Sequence, residues 1–137
     1  MALKSETVAR RFFEEVWNQN LLDTVDELSH PDAVSHRCNG ETCDVDEFRD
    51  KVLQNFKGAI PDLRVEIEDI VATEEQAVVR WRSTGTHVGE GFGLTPTGQP
   101  VVFRGMTWLR FRDGKIAEGW DCWDETGIVQ RLTGATT

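Results

Sequence analysis

The spacing of apolar residues changes once along this chain, and the change limits the folds open to it. Up to Gly58 apolar residues recur at helical intervals, with Val8, Phe12 and Val16 on one face of a first helix. From Leu63 the interval becomes two, as expected for half-buried strands. Helices followed by a run of strands predict a segregated α+β domain instead of alternating βαβ units.

Three helices are predicted in the first part of the chain. Ser5 is placed to cap the first helix, and Ser29-His30-Pro31 ends the second, because the residue before a proline avoids helical geometry. Asp44 followed by Glu47 is a capping-box pattern, which predicts the start of the third helix. That helix should end near Gly58.

The remaining pattern predicts strands at 33–37, 63–68, 77–86, 101–111 and 115–124. Asp113-Gly114 joins the last two strands as a tight hairpin, and a short closing helix is expected over 125–132. We expect one domain spanning residues 1–137, built as a curved antiparallel sheet with its helices on one face. Such a bent sheet can enclose an apolar cavity for a small ligand.

The charge balance limits the partners of the chain. With 15 Lys and Arg against 24 Asp and Glu, the formal net charge is −9. Nucleic acids and anionic membranes need a basic surface, so neither is expected as a partner. The sequence shows neither an apolar run long enough to span a bilayer nor the apolar centre of a signal peptide, which predicts a cytoplasmic protein.

The cysteines and histidines show no metal-binding or disulfide pattern. Cys38, Cys43 and Cys122 are an odd, sparse set, for which we expect reduced thiols. The histidines lack the spacing of a zinc motif, and we expect no metal.

The last predicted strand, Lys115 to Asp124, combines two tryptophans with three carboxylates. A carboxyl held among indole rings is poorly solvated, so its pKa should rise toward the range useful for general acid/base catalysis. An ordinary amphipathic strand is the alternative interpretation. The period of two leaves two candidates: if the Trp120 face lines the cavity, Asp124 and Glu118 point inward, whereas if the opposite face does, Asp121 is the acid.

Three motifs carry a family resemblance. In chain order they are Gly85-Thr86-His87-x-Gly89, Pro96-Thr97-Gly98 and Gly114-Lys115-Ile116-x-Glu118-x-Trp120-x-x-x-Asp124. Together, and placed on helices followed by strands, they resemble the SnoaL-like polyketide cyclases, also called ester cyclases. The resemblance runs from the first helix to Gln130-Arg131-Leu132. This family belongs to the superfamily of nuclear transport factor two, ketosteroid isomerase and scytalone dehydratase.

The resemblance implies a cone-shaped domain with an apolar cavity, assembled as a homodimer or larger oligomer. It implies intramolecular aldol condensation of a polyketide ester or a related isomerisation, without metal or cofactor. The ligand would be a small apolar carbonyl compound. The family's acid/base aspartate matches Asp124, and its two histidines match His36 and His87. A non-catalytic binding or dimerisation module, or a cofactor-free hydrolase or dehydratase, is the alternative.

The candidate pocket residues come from the predicted strand faces and the first helix; they are Trp120, Glu118, Arg80, Trp108, Met106, Phe13 and Trp17. Several of them have a second interpretation. Arg80 can instead pair with Glu68 on an exposed face, and Trp108 and Met106 can instead form a dimer surface. The chain has no tyrosine, so an oxyanion donor must come from histidine, tryptophan or arginine.

Overall fold

The computed structural model describes residues 3–90, 95–124 and 127–128. Helix α1 comprises Lys4–Arg11 and a π-helical continuation, Phe12–Asn18. Helix α2 is Leu22–Leu28. Helix α3 comprises three consecutive parts, Val45–Glu47, Phe48–Val52 and Leu53–Ala59.

The helix boundaries test two predicted caps. The capping box at α3 is confirmed, because the Glu47 N–H donates to the Asp44 carboxylate and the Glu47 side chain accepts from the Asp44 N–H. The predicted Ser5 cap is wrong, since Leu3 is the N-cap residue of α1. Ser5 is buried and its hydroxyl donates to the carbonyl of Thr73, which ties α1 to the sheet.

In the part of the chain that the structure describes, six strands form one open, curved sheet. They are β1 Ser29–Arg37, β2 Thr42–Asp44, β3 Arg64–Ala72, β4 Gln76–Thr86, β5 Pro100–Arg112 and β6 Lys115–Trp123. Their order in the sheet is β2-β1-β6-β5-β4-β3. The helices pack against this sheet as the α+β prediction requires. The predicted all-antiparallel pairing needs correction, because β1 runs parallel to β6 and the sheet is therefore mixed.

Local chemistry explains most of the strand boundaries. Asp113 and Gly114 both have positive φ, at 53° and 77°, which confirms the predicted tight hairpin between β5 and β6. Strand β2 was not predicted, since it is only three residues long. The closing helix expected over 125–132 lies largely outside the described residues. No described helix has the length and apolar character needed to cross a membrane.

The core lies between the helices and the concave face of the sheet. Along β5 buried and exposed residues alternate, so that Phe103 and Leu109 face the helices while Val102 and Trp108 face outward. The buried face packs against residues of α1 and α3 such as Val16. This burial of apolar surface is the main stabilising contribution to the fold.

One covalent link corrects the expectation of reduced thiols. Cys38 and Cys122 form a disulfide with their Cα atoms 5.2 Å apart, although 84 residues separate them in sequence. The parallel pairing of β1 with β6 brings the two cysteines together, and no sequence spacing reveals such a pairing. Cys43 is the free cysteine of the described residues.

Candidate functional site

A cavity of about 130 Å³ lies between the concave face of the sheet and helices α1 and α3. Its walls are mainly aromatic, with Phe13 and Trp17 from α1, Phe56 from α3, and Phe103 and Trp123 from the sheet. The polar lining residues are Ser35, Arg37, Asn55, Ser83, Thr107 and Asp121. An apolar chamber with few polar groups is the usual form of a small-molecule site.

Asp121 provides the carboxylate of the cavity. It lies between the main chamber and an adjoining pocket of about 60 Å³, and it lines both. Desolvation raises the pKa of its carboxyl above the ordinary aspartate value, while hydrogen bonds from Thr107 and Ser35 and the charge of Arg37 act in the opposite direction. The net shift brings this group closer to the neutral range in which a carboxyl can both accept and donate a proton.

Two hydroxyls orient the Asp121 carboxylate. Thr107 Oγ1 donates to Asp121 Oδ1 at 2.6 Å, and Ser35 Oγ lies 3.5 Å from Oδ2. The Thr107 hydroxyl accepts a buried hydrogen bond of 3.0 Å from Trp81 Nε1. Because the indole N–H can only donate, it directs the threonine hydrogen toward Asp121. Each carboxylate oxygen thus accepts one hydroxyl hydrogen bond, the contact with Ser35 being the longer, and each keeps a second lone pair that can take a proton.

A glycine makes this arrangement sterically possible. Gly105 lies opposite Trp81 in the pairing of β4 with β5. A Cβ atom at position 105 would lie 2.5 Å from Trp81 Cζ2 and 2.6 Å from the backbone oxygen of Cys122. The missing side chain lets the indole lie across β5 and reach Thr107.

The register of β6 decides between the two aspartates. Asp121 pairs with Thr107, whereas Trp120 pairs with Trp108 on the outer face. The preferred prediction that the Trp120 face lines the cavity is therefore wrong, and the alternative with Asp121 inward describes the structure. Asp124 is exposed, and its Oδ1 accepts a 2.9 Å hydrogen bond from the Gly127 N–H. Asp124 directly follows Trp123, the last residue of β6.

His36, the predicted partner of the acid, lies on the outer face with several other predicted site residues. Its Nε2 is 2.6 Å from Glu118 Oε2, and its ring stacks on Trp120 with centroids 5.0 Å apart. Trp108 packs against Trp120 at 5.3 Å, and the Arg110 guanidinium lies over both indoles. The outer surface thus brings together four residues that were expected near or in the pocket.

The alternation of side chains between the two strand faces corrects two further pocket predictions. Met106 is 53% exposed on the outer face. Arg80 is also exposed and lies 3.7 Å from Glu68, the exposed pairing given above as the alternative. Both residues alternate along their strands with inward neighbours, Thr107 for Met106 and Trp81 for Arg80. Phe13 and Trp17 do line the cavity.

His87 is fully buried at the end of β4, away from the described lining of the main cavity. Its Nδ1 accepts a hydrogen bond from the backbone N–H of Thr97 at 3.3 Å, and the Thr97 hydroxyl lies 3.1 Å from the same nitrogen. Its backbone N–H donates to the carbonyl of Gln99. These contacts tie the segment before β5 to the end of β4.

Sequence reasoning missed Ser35, Arg37, Thr107 and Ser83. Ser35, Arg37 and Thr107 are neighbours of residues that were considered, and the period of two would have found all four once one inward residue was known. Cys43 also lines the cavity, and burial raises the pKa of its thiol, which keeps it protonated. Among the described residues no three His, Cys, Asp or Glu side chains are grouped to hold a metal ion.

Comparison with solved structures finds the same fold in several proteins. A SnoaL-like polyketide cyclase candidate from Jannaschia sp. CCS1 is 21% identical with a TM-score of 0.88, covering 97% of this chain and 94% of that one. AclR from Streptomyces galilaeus, described as a candidate hydroxylase, is 30% identical with a TM-score of 0.85, covering 98% and 83%. IdmH from Streptomyces antibioticus, described as a candidate polyketide cyclase, is 28% identical with a TM-score of 0.83, covering 96% and 99%.

No curated protein sequence matches this chain. The model of the SnoaL-like polyketide cyclases matches residues 7–132, which is nearly the whole chain. The curved mixed sheet, the helices on its concave face and the aromatic cavity agree with that match. The chain belongs to the SnoaL-like polyketide cyclase family.

Proposed function

We propose that this protein is a cofactor-independent acid/base enzyme that acts on a small apolar carbonyl compound, with Asp121 as the proton carrier. The observation that carries the proposal is the Asp121 carboxylate in the described lining of the main cavity, with its pKa raised by desolvation and its Oδ1 held by Thr107. Membership of the cyclase family and the descriptions of IdmH and the Jannaschia protein support a ring-closing reaction of a polyketide-like substrate.

The chemistry follows from the positions of these groups. Ionised Asp121 removes a proton from the carbon next to a ketone, and the electrons of that C–H bond move into an enolate. Arg37 lines the same cavity, with its Nη1 3.3 Å from Glu41 Oε2, and its positive charge stabilises the enolate oxygen. The enolate carbon then attacks a second carbonyl of the same molecule. Asp121 returns its proton to the resulting alkoxide, so that the aldol product is an isomer of the substrate.

The test uses exchange of carbonyl-adjacent protons, which needs no knowledge of the natural substrate. The wild-type protein should exchange the methyl protons of 2-acetonaphthone in D₂O faster than buffer does, measured by proton NMR. Asp121→Asn should lower this rate at least about 100-fold, the usual range for a lost general base. Asp124→Asn is the matched control and should stay within about threefold of wild type, because its carboxylate bonds the Gly127 N–H outside the cavity.

Several results would contradict the proposal. The proton-carrier role of Asp121 would be contradicted if the exchange rate of Asp121→Asn stayed within tenfold of wild type. It would also be contradicted if Asp124→Asn lost the exchange activity instead. A wild-type protein that exchanges no faster than buffer would favour a non-catalytic binding module. Because AclR is described as a hydroxylase, incubation with the ketone in air followed by mass spectrometry separates a gain of one oxygen atom from proton exchange alone.

We further propose that the protein self-associates through an apolar stripe on the outer face. The stripe is one row across five strands, formed by Val71, Val78, Trp108, Trp120 and His36, each paired with the next in the strand register. Val71 is 68% exposed and Trp108 41%. Val78 is also exposed, Trp120 and His36 are partly exposed, and an exposed apolar patch of this kind often marks an interface.

Light scattering after gel filtration tests this self-association. The wild-type protein should elute as a dimer or larger oligomer, and Trp108→Glu should shift it toward monomer. Leu21→Glu, an equally exposed apolar position outside the stripe, should leave the mass unchanged. A monomeric wild-type protein, or a Trp108→Glu variant that stays oligomeric, would exclude the stripe as the interface.

A further inference from the structure

Ser83 presents a hydroxyl to the cavity far from Asp121. It lies on β4, is only 1% exposed, and lines the main chamber together with Trp81 and Phe103. Its side chain makes no hydrogen bond with any residue that the structure describes. A hydroxyl on the wall of a largely apolar cavity, with no protein group bonded to it, can bond a molecule held in that cavity.

Thr107, on the same concave face, provides the contrast. Its hydroxyl accepts from Trp81 and donates to Asp121, so its hydrogen-bonding capacity is used within the protein. The aromatic and aliphatic neighbours of Ser83 on the inner face offer no such partner. Val65 and Phe103 lie directly opposite it in the two adjoining strands. The Ser83 hydroxyl is thus a donor and acceptor directed at the contents of an otherwise apolar region.

The sheet register gives the separation of the two polar positions. Asp121 pairs with Thr107, Thr107 pairs with Val79, and Ser83 lies further along the strand of Val79. Two strand spacings across and four residues along place the Cα atoms of Asp121 and Ser83 roughly 16 Å apart on a flat sheet. The inward curvature shortens the gap between their side chains. Trp81, Phe103 and Trp123 line the same cavity as these two residues.

We infer that Ser83 is a specificity residue that binds an oxygen substituent at the end of the substrate remote from the reacting carbonyl. The substrate class is then an extended, flat, apolar molecule of at least two fused rings or the equivalent chain length, with a carbonyl at one end and a hydroxyl or second carbonyl at the other. This inference rests on the proposed use of the cavity with Asp121 at its reacting end.

Two ketones that differ in one hydroxyl test the inference. These probes are 2-acetonaphthone and 6-hydroxy-2-acetonaphthone, and binding is followed by quenching of tryptophan fluorescence, since Trp17, Trp81 and Trp123 line the cavity. Wild type should bind the hydroxylated ketone about five- to thirtyfold more tightly, as expected for one additional hydrogen bond. Ser83→Ala should remove this preference while changing the affinity for 2-acetonaphthone less than about threefold.

Two control variants separate the hydroxyl from other effects. Ser83→Thr keeps a hydroxyl and should retain a preference for the hydroxylated ketone. Thr84→Ala deletes the adjacent, outward-facing hydroxyl of the same strand and should behave like wild type. A preference that persists in Ser83→Ala would overturn the inference, as would failure of wild type to bind either ketone. If the preference for the hydroxylated ketone depends on Ser83 but the wild-type protein catalyses no proton exchange, the catalytic role of Asp121 is refuted. Ser83 then remains a binding residue.

Discussion

The Trp81 indole N–H and the Thr107 hydroxyl are joined by a buried 3.0 Å hydrogen bond from β4 to β5, and this bond determines which way Thr107 can donate. Trp81 therefore influences the cavity carboxylate without contacting it. Its effect is to hold Thr107 as a donor to Asp121 Oδ1.

Replacement of Thr107 by valine tests this relay. Thr107→Val removes a donor that favours the ionised carboxylate, so the pKa of Asp121 should rise further. It also leaves the Trp81 N–H unpaired, which should lower the free energy of unfolding by about 1–3 kcal/mol. NMR titration of the Asp121 carboxyl carbon and urea denaturation measure the two effects. Thr107→Ser keeps the hydroxyl and should restore the wild-type pKa; an unchanged pKa in Thr107→Val would refute the relay.

The pH dependence of stability should report the buried carboxyl. Because the folded-state pKa of Asp121 is raised, the folded protein binds a proton that the unfolded chain has already released. Stability therefore falls as pH rises from the ordinary aspartate pKa through the raised one. Asp121→Asn should remove this loss and be at least as stable as wild type at neutral pH. Thermal unfolding of both proteins across this pH range gives the difference, and a variant less stable than wild type at pH 7 would contradict it.

Gly105 should tolerate no side chain. In Gly105→Ala the new Cβ would approach both the Trp81 ring and the Cys122 backbone oxygen, and the overpacking should cost about 1–3 kcal/mol of stability. Chemical denaturation measures this cost. Gly58→Ala is the matched control, because its Cβ would meet only an atom at 3.6 Å and a helical alanine adds up to about 1 kcal/mol of stability. Equal stabilities of the two variants would show that the indole position does not depend on Gly105.

The disulfide between Cys38 and Cys122 should stabilise the fold. Cys122→Ser opens a loop of 84 residues, and the unfolding free energy should fall by about 2–4 kcal/mol. Cys43→Ser, which removes the free thiol, is the control and should change the stability much less. Reduction of the wild-type protein should reproduce the effect of Cys122→Ser. If reduction leaves the denaturation midpoint unchanged, the link makes no net contribution.

The elements of this fold could be predicted from local patterns, whereas the orientation of its faces could not. The capping box at Asp44 and the hairpin at Asp113-Gly114 each depend on a few neighbouring residues, so both can be recognised from the sequence alone. The choice between Asp121 and Asp124 depends on which side of β6 meets the helices. Trp120 looks like a cavity residue by type, but it packs against Trp108 and His36 on the outer face.

That one choice of face affected four strands together. His36, Arg80, Met106 and Trp120 were considered as inward residues. The structure instead places on the cavity wall their neighbours Ser35 and Arg37, Trp81, Thr107 and Asp121. Because a strand alternates strictly between its faces, one wrong orientation exchanges a whole set of residues. The disulfide and the parallel pairing of β1 could not be predicted for a related reason, as both depend on contacts between distant parts of the chain.

Because β1 pairs with β6, the site can form only after β6 has been synthesised. Ser35 pairs with Gly119, so the N-terminal strand emerges long before its central neighbour is synthesised. Until then one edge of β1 presents unpaired backbone groups, the kind of surface that attracts other chains and chaperones. The carboxylate, its threonine and the Ser35 hydroxyl meet only when the last strand is released. A nascent chain that stops before β6 therefore lacks Asp121, the carboxylate in the described lining of the main cavity.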